Sequence, residues 1–482
     1  MKEEVVIGLE IHIQLMTKAK MFCQCSTNYI GKEPNTNTCP VCLGLPGSLP
    51  VLNRKVLEFA IRTAVALNCK INQVSRFHRK NYFYPDLPKA YQISQYDIPL
   101  GINGYMEISL PESKEKHRIR ITRVHIEEDA GKLVHEGDIA SSSHSLVDYN
   151  RCGIPLAEIV TEPDFCSPEE ARIFLVKLRS IVQHLGVCDG NMEEGSMRCD
   201  ANISLRDAKT GALGTKAEIK NMNSFKAVKK ALQFEVDRQK KLLAEGEKIV
   251  QETRHWDESK NVTVSMRSKE EAHDYRYFPE PDLLPLKVDL KMIDKIRKNL
   301  PELPEARRMR FIKDYQISEY DAEILISSKE LGDYYEKAAS SYSNRKVLSN
   351  WIMGELIHYL NEEKIGIDDS PVSPEKLVGM LKLMDEGVIS GKMAKDVFEK
   401  MFKTGKDASQ IVKESGITQI TDENELFKVI DNVIKENPKS VDDFNKGKEK
   451  ALNFLVGQVM RYTKGRAKPD FVFEAIKQRI KK

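Results

Sequence analysis

The stretch VIGLEIHIQL, residues 6–15, decides the fold of the first part of the chain. Apolar residues occupy every second position, from Ile7 to Leu15, and glycine, glutamate, histidine and glutamine fill the positions between them. This period of two predicts a β-strand with one apolar and one polar face. Glu10 and His12 share the polar face, which is therefore either solvent-exposed or the floor of a site.

Length and composition limit the classes of protein. A chain of 482 residues is too long for one ordinary core, so two or three domains are expected. No apolar run approaches the roughly 20 residues that cross a bilayer, and the acidic start lacks the order of a secretory signal. We therefore expect a cytosolic protein. In that reducing compartment, the nine cysteines are expected to be thiols or metal ligands.

The pattern of the chain changes near residue 295. Short alternating runs and a few helical patterns precede it, which predicts an α+β domain on a largely antiparallel sheet at residues 1–294. Apolar residues at three-and-four spacing follow it and predict an all-α domain at residues 295–407. A Gly-containing break then separates a small α-helical tail domain at residues 408–482.

The tail carries an uneven share of the charge. Residues 444–482 contain eleven Lys or Arg and three Asp or Glu, a net charge of +8 in a chain whose total is +3. This asymmetry favours a polyanionic partner for the tail, and a solubilising helical surface is the alternative.

Four cysteines have the spacing of a metal site. Cys23 and Cys25 form one close pair, Cys39 and Cys42 form another, and both lie in the segment 23–42. Four thiolates brought together in this way match tetrahedral zinc, and four ligands leave no position open for catalysis. The spacing predicts a structural zinc, and four free thiols on a loop are the alternative.

Other predicted strands also carry a row of polar side chains on one face. A sheet face with carboxylates, a histidine and nearby cations can hold Mg²⁺ and a triphosphate, and the histidine would let Mn²⁺ compete. A solvated sheet face is the alternative. The candidate residues are Glu10, His12, Glu127, Glu128, Glu158, Arg198, Asp200, Lys216, Glu218 and Lys220.

Some common motifs are absent from the sequence. It has no phosphate-binding G-x-x-x-x-G-K-[ST] loop and no G-x-S-x-G nucleophile elbow. We assign no role to the isolated histidines His78, His125 and His184. Two aromatic segments, residues 78–97 and 273–283, could stack bases or a ribose, or could serve only as loop packing.

Several of these segments resemble, in order along the chain, the signature blocks of the B subunit of the aspartyl/glutamyl-tRNA amidotransferases. VIGLEIHIQL and RKNYFYPDLPKAYQISQYD (79–97) are two of the blocks. The others are residues 122–132, 147–164, 192–206, 214–225, 251–258 and 271–283, and residues 350–356 and 457–472 resemble that family's helical and tail segments. The tail is similar to the small YqeY-type domain.

The resemblance implies a fold and an activity. It implies an N-terminal cradle domain like glutamine synthetase, with ATP as cosubstrate. ATP would phosphorylate the side-chain carboxylate of misacylated Glu-tRNA(Gln) or Asp-tRNA(Asn), and ammonia would then displace the phosphate to give the amide. Ammonia would come from an amidase-type A subunit, with a small C subunit completing a heterotrimer.

The resemblance also implies roles for the candidate residues. Glu10, His12, Glu128 and Glu218 would bind Mg²⁺ or Mn²⁺, with Glu127, Glu158 and Asp200 close by. Arg198, Lys216 and Lys220 would face phosphates or developing charge. Which of Glu127 and Glu128 points inward stays open. For tRNA, the helical block and basic tail are the natural contacts, and Lys464, Arg466 and Lys468 are the candidate phosphate ligands.

Two other functions remain open from the sequence. A stand-alone ATP-dependent ligase acting on free glutamate or aspartate would use the same face but would leave the basic tail without a role. A non-catalytic tRNA-binding scaffold would use the tail but would leave the carboxylate rows unexplained. Whether Gln-tRNA, Asn-tRNA or both are made also stays open.

Overall fold

The computed structural model describes residues 3–110, 115–135, 144–268, 275–415, 423–446, 448–463, 467 and 469–480. The chain divides into two compact units, Met1–Pro304 and Glu305–Lys482. The first unit combines sheets with helices, and the second is helical in its described residues. This agrees with the predicted order of a sheet domain followed by helices.

The first unit contains strands of very different lengths. Its strands are β1 (Glu3–Gln14), β2 (Lys70–Ile71), β3 (Val74–Ser75), β4 (Phe77–Asn81), β5 (Tyr91–Gln95), β6 (Gly101–Ser109), β7 (Lys116–Glu128), β8 (Lys132–His135), β9 (Ser145–Asp148), β10 (Pro155–Thr161), β11 (Met197–Asp207), β12 (Ala217–Lys220), β13 (Glu252–Asp257), β14 (Val262–Ser268), β15 (Phe278–Pro279) and β16 (Leu286–Lys287). Its helices are α1 (Arg54–Ala66), α2 (Pro168–His184), α3 (Phe225–Ala244) and α4 (Leu290–Lys298).

A nine-stranded sheet organises this unit. Its strand order is β14-β13-β12-β11-β1-β10-β7-β6-β2. Each pairing for which the register is known is antiparallel except that of β12 with β13, which is parallel. The predicted first strand therefore lies near the middle of the sheet, with β10 on one side and β11 on the other.

The two faces of β1 follow the sequence alternation. Ile7, Ile11 and Ile13 are fully buried in the apolar core of the first unit. Helices α1, α2 and α3 contribute their apolar faces to the same core. Ser167 and Ser224 begin α2 and α3 as N-caps, because each side chain accepts a hydrogen bond from a backbone N–H of the first turn. The helices therefore cover the apolar face of the sheet and leave the polar side of β1 for other groups.

A small sheet lies against the end of β7. Its strand order is β15-β4-β5, and both of its pairings are antiparallel. Gln95 accepts a 3.1 Å hydrogen bond from the backbone N–H of Ile126, and Gln92 donates one of 2.7 Å to the carbonyl oxygen of Glu128. The small sheet is thereby fixed beside the carboxylate-rich end of β7.

The second unit is made of short helices. They are α5 (Pro304–Tyr315), α6 (Glu319–Leu325), α7 (Lys329–Ala339), α8 (Arg345–Trp351), α9 (Ile357–Glu363), α10 (Pro374–Asp385), α11 (Gly391–Thr404), α12 (Ala408–Ser415), α13 (Glu423–Glu436), α14 (Pro438–Asn445), α15 (Glu449–Tyr462) and α16 (Pro469–Ile480). Two separate apolar clusters hold these helices, one from Phe311 to Val412 and one from Leu426 to Ile476. Helix α4 crosses residue 294, the predicted domain limit, and packs Ile293 and Ile296 into the first unit.

No helix in the described part of the chain is both long and apolar enough to cross a membrane.

Because β1 lies near the middle of the sheet, we expect the shortening of one of its buried side chains to destabilise the first unit strongly. We expect Ile11→Ala to lower the free energy of unfolding of the first unit by about 2–5 kcal/mol, because a fully buried side chain leaves a cavity. Urea unfolding in a Trp351→Phe background, followed by the fluorescence of Trp256, measures this unit alone. Leu213→Ala, at a side chain that is 62% exposed, is the control and should change little. Equal stability of the two variants would contradict the central role of β1.

Candidate functional site

The polar face of β1 continues across its neighbours. His12 lies opposite Glu158 on β10 and opposite Arg198 on β11. Glu158 in turn lies opposite His125 on β7. Directly opposite residues in antiparallel strands point to the same face, so the four side chains form one row across the sheet.

Three carboxylates converge on His12. Its Nε2 atom lies 3.2 Å from Oε1 of Glu127, 3.3 Å from Oε2 of Glu158 and 3.9 Å from Oε1 of Glu10. Burial works against a charge on His12, but its hydrogen bonds with Glu127 and Glu158 outweigh burial and hold the pKa of His12 well above its usual value. The pKa of Glu10 is also raised, by burial and by the charge of Glu158. The cluster thus holds more negative charge than one imidazolium neutralises.

A second histidine completes the cluster. Nε2 of His125 lies 3.3 Å from Oε2 of Glu158 and 3.8 Å from Oε2 of Glu127. Burial lowers the pKa of His125, but the charge of Glu158 and the hydrogen bonds to both carboxylates raise it to about 9. Burial raises the pKa of Glu127 and Glu158, yet the two histidines more than offset it, and both carboxylates titrate below their usual range. Both carboxylates are therefore ionised near neutral pH.

Two overlapping groups of donors could hold metal ions. One consists of Glu10, His12 and Glu158, and the other of His125, Glu127 and Glu158. Within each group the ligand atoms lie within 4.8 Å of one another. Carboxylate oxygens suit Mg²⁺, and an imidazole nitrogen also admits Mn²⁺. The donor set therefore fits a divalent cation that binds phosphate.

Glu128 faces away from this cluster. Its carboxylate accepts a 3.0 Å hydrogen bond from the backbone N–H of Ile93 and forms an ion pair with Lys89. Lys89 and Glu128 also line a cavity of about 200 Å³ beside the cysteine segment. Successive residues of a strand point to opposite faces, so the inward partner of His12 is Glu127 and not Glu128. The predicted placement of Glu128 in the His12 cluster is thus not observed.

The predicted cations are held by carboxylates. Nη2 of Arg198 lies 2.9 Å from Oδ2 of Asp129, a buried residue. Nζ of Lys220 lies 2.6 Å from Asp200 and 3.2 Å from Glu218. This second group lies on β11 and β12, and Glu218 belongs to neither of the donor groups around Glu158.

Lys216 lies outside the strands of the sheet. It is exposed and precedes the first residue of β12.

Sequence reasoning missed residues that contact the cluster. In the sequence analysis we give His125 no role, although His125 follows Arg123 and precedes Glu127 at a spacing of two. Nη2 of Arg123 lies 3.6 Å from Oε1 of Glu158, and Ser94 Oγ donates a 3.3 Å hydrogen bond to Oε2 of Glu127. The alternation of β7 was the available signal for Arg123 and His125. Ser94 lies on β5 of the small sheet, and no sequence pattern pointed to it.

The four cysteines form the expected group. The Sγ atoms of Cys23, Cys25, Cys39 and Cys42 lie within 4.8 Å of one another. A hydrogen bond from Cys23 lowers the pKa of Cys42 to about 5, helped by the charge of Lys20, whose side chain is buried. Burial raises the pKa of Cys25 to about 11. Four sulfur donors at this spacing suit a tetrahedral metal ion.

The two aromatic segments meet each other. Tyr96 and Tyr277 stack with centroids 4.1 Å apart, and Tyr82 lies edge-on to Tyr275 at 5.9 Å. These contacts favour the loop-packing interpretation for four of the rings. Phe83, at 92% exposure, remains available to a partner. The candidate tRNA contacts Lys464, Arg466 and Lys468 lie outside the described residues.

The geometry predicts a pH effect on stability. The pKa of His125 is about 9 in the folded chain and about 6.5 when unfolded, so its stabilising contribution is complete below pH 6.5 and is lost as the pH rises to 9. In EDTA, we expect the first unit to lose about 3 kcal/mol of stability across this interval through His125. Urea unfolding of wild type and His125→Gln at both pH values measures the difference. Equal pH dependence in the two proteins would contradict the assignment.

Comparisons with known proteins agree with the geometry. Residues 5–294 match the model of the GatB/GatE catalytic domain, and residues 333–480 match that of the GatB domain. The chain is 57% identical, over 99% of each chain, to the B subunit of the aspartyl/glutamyl-tRNA(Asn/Gln) amidotransferase of Carboxydothermus hydrogenoformans. It is 57% identical to the protein of that name from Caldanaerobacter subterraneus subsp. tengcongensis, over 100% of each chain. It is 53% identical, over 99% of each chain, to that from Thermotoga maritima. The chain belongs to the family of aspartyl/glutamyl-tRNA(Asn/Gln) amidotransferase B subunits.

Proposed function

We propose that this chain carries out the ATP-dependent amidation of misacylated Glu-tRNA(Gln), Asp-tRNA(Asn) or both. The observation that carries the proposal is the cluster of His12, Glu127 and Glu158, which lies within the segment that matches the GatB/GatE catalytic domain. A carboxylate oxygen is a poor leaving group until it is phosphorylated. The site must therefore hold ATP and the aminoacyl carboxylate together, which requires positioning and electrostatics rather than a protein nucleophile.

The donor geometry supports a revised set of metal ligands. We assign Glu10, His12, Glu127 and Glu158 to the Mg²⁺ or Mn²⁺ site, with His125 beside them. We remove Glu128 and Glu218 from the predicted set, since each is paired with a lysine and neither belongs to the donor groups around Glu158. A divalent ion in the cluster would bridge phosphate oxygens and neutralise their charge. Glu127 and Glu158 are ionised, so they can bind a cation without first losing a proton.

The other residues of the face support substrate binding. Arg198 lies opposite His12 and keeps its orientation through Asp129. Asp200, Glu218 and Lys220 form a neighbouring polar group, to which we assign ATP contacts. Lys216, exposed beside β12, remains a candidate for phosphate contacts at the edge of this group.

We assign structural zinc to the cysteine group. The four sulfurs leave no open coordination position, and the low pKa of Cys42 supplies one thiolate before metal binding. Asn37 and Asn150 connect the segment to the rest of the first unit through a 2.7 Å hydrogen bond. The zinc would hold the segment 23–42 in place.

We extend the proposal to partners and domains. An amidase-type A subunit would supply ammonia, a small C subunit would complete a heterotrimer, and the basic tail would contact tRNA through Lys464, Arg466 and Lys468. The first unit would be the glutamine-synthetase-like cradle. The two apolar clusters of the second unit support a helical domain at 295–407 and a YqeY-like tail at 408–482. A cytosolic location remains a prediction.

One assay separates this function from its alternatives. The chain, combined with A and C subunits, glutamine, ATP and Glu-tRNA(Gln), should form Gln-tRNA(Gln). Glu158→Gln and His12→Ala should each lower the rate by about 100-fold or more, because each removes a preorganised contact. Glu4→Gln is the matched control, since Glu4 shares the polar face of β1 but pairs with Arg206.

The outcomes are distinct. Activity on free glutamate would favour the ligase, and no wild-type activity would favour the tRNA scaffold. Full activity of both cluster variants would remove the assignment of the site.

The zinc proposal has its own test. Elemental analysis of the purified chain should give about one zinc per chain, as expected for a four-cysteine site. Cys39→Ser should bind almost none and should unfold at a lower temperature. Cys166→Ser, at an exposed free thiol, is the control and should keep the metal. A wild-type chain without zinc that is as stable as Cys39→Ser would contradict the proposal.

A further inference from the structure

We propose that Lys80 contacts the phosphoryl group during its transfer and stabilises the charge on it. This inference rests on the proposed function and names a catalytic cation that sequence analysis did not assign. The positive charge that β11 and β12 could offer to phosphate is already paired. The cations expected to face phosphate on β11 and β12, Arg198 and Lys220, are already held by carboxylates.

The small sheet places Lys80 near the cluster. Lys80 lies on β4 opposite Gln92, and His78, two residues earlier on the same face, lies opposite Ser94. Ser94 donates to Glu127, and Gln92 donates to the carbonyl oxygen of Glu128. The face of the small sheet that carries Lys80 therefore includes two side chains that are hydrogen-bonded to the end of β7.

The surroundings of Lys80 keep it charged. Its Nζ atom lies 4.8 Å from the ring centroid of Tyr275 and 6.0 Å from that of Tyr82, within the range of cation–π attraction. Burial works against its charge, but the charges of Glu127 and Glu158 outweigh burial and raise the pKa of Lys80 above its usual value. Lys80 is thus a fixed positive charge beside the cluster.

Lys80 lacks the short ion pair that other cations of the site have. In the described ranges, no carboxylate lies within 4.0 Å of its ammonium group. Nearby Lys89 pairs with Glu128, and Arg79 pairs with Glu280 at 2.7 Å. A half-buried ammonium group without such a partner favours an anion in its vicinity. Phosphate oxygens bound at the carboxylate cluster through a cation would be that anion.

The reaction step needs a charge of this kind. The bond between the γ-phosphorus of ATP and its bridging oxygen breaks, a bond from the phosphorus to the aminoacyl carboxylate oxygen forms, and ADP leaves. No proton moves and nothing is oxidised. Negative charge spreads over the three equatorial oxygens of the transferring phosphoryl group, where a fixed cation stabilises it. Lys80 supplies that charge from β4 of the small sheet.

The test isolates this step from ammonia delivery. The assembled complex is given ATP, Glu-tRNA(Gln) and hydroxylamine, which converts the acyl phosphate to a side-chain hydroxamate. Only the hydroxamate that depends on ATP is counted, because hydroxylamine also cleaves the aminoacyl ester directly. Lys80→Met should lower the maximal rate of hydroxamate formation by about 100-fold or more, with little change in the KM for tRNA. Lys80→Arg should keep at least about a tenth of the wild-type rate, because the charge is retained. Lys70→Met, at an exposed lysine on β2, is the control and should be fully active.

Each outcome decides between the claims. No hydroxamate from wild type would overturn the proposed function. An active wild type with an equally active Lys80→Met would overturn only the role of Lys80. If Lys80→Met melts early, Lys80→Gln, which keeps a polar end group, replaces it. An arginine variant that is as inactive as the neutral one would also contradict a role based on charge.

Discussion

The position of one carboxylate organises the site. Oε2 of Glu158 lies 3.3 Å from Nε2 of His12 and 3.3 Å from Nε2 of His125. Glu158 lies on β10, which pairs with β1 on one side and with β7 on the other. Three adjacent strands must therefore keep one register, because a slip of one residue would turn these side chains to the opposite face. The apolar alternation of β1 fixes that register through the core.

The same arrangement explains the electrostatics of the first unit. Buried carboxylates are unfavourable unless cations or hydrogen bonds compensate them, and the two histidines compensate Glu127 and Glu158 strongly enough to hold the pKa of both below the usual range. Other carboxylates of the face have their own cations, as Asp129 has Arg198 and Asp200 has Lys220. Glu10 adds a third carboxylate beside Glu158, and its pKa is raised by burial and by the charge of Glu158. A divalent cation suits this concentration of carboxylates. The packing of the sheet is thereby connected to phosphoryl transfer.

The sequence was sufficient for part of this result. The strand β1 and the helical second unit follow from the local period of the apolar residues. The grouping of the cysteines follows from their spacing along the chain. The orientation of Glu127 depends on how β7 ends against the small sheet, and two adjacent glutamates leave this undetermined. The placement of Lys80 and Ser94 depends on a tertiary contact between β5 and β7, which no local pattern reports. His125 could have been found, because Arg123, His125 and Glu127 alternate.

The assignment of a divalent ion to Glu10, His12, Glu127 and Glu158 connects the sheet to the chemistry. Electron spin echo envelope modulation of Mn²⁺ bound to the full-length chain tests it most directly, since it detects nitrogen ligands. We expect an imidazole nitrogen coupling that is lost in the His12→Ala variant. Bound Mn²⁺ without nitrogen coupling, or with the same coupling in His12→Ala and in the double variant His12→Ala/His125→Ala, would contradict it.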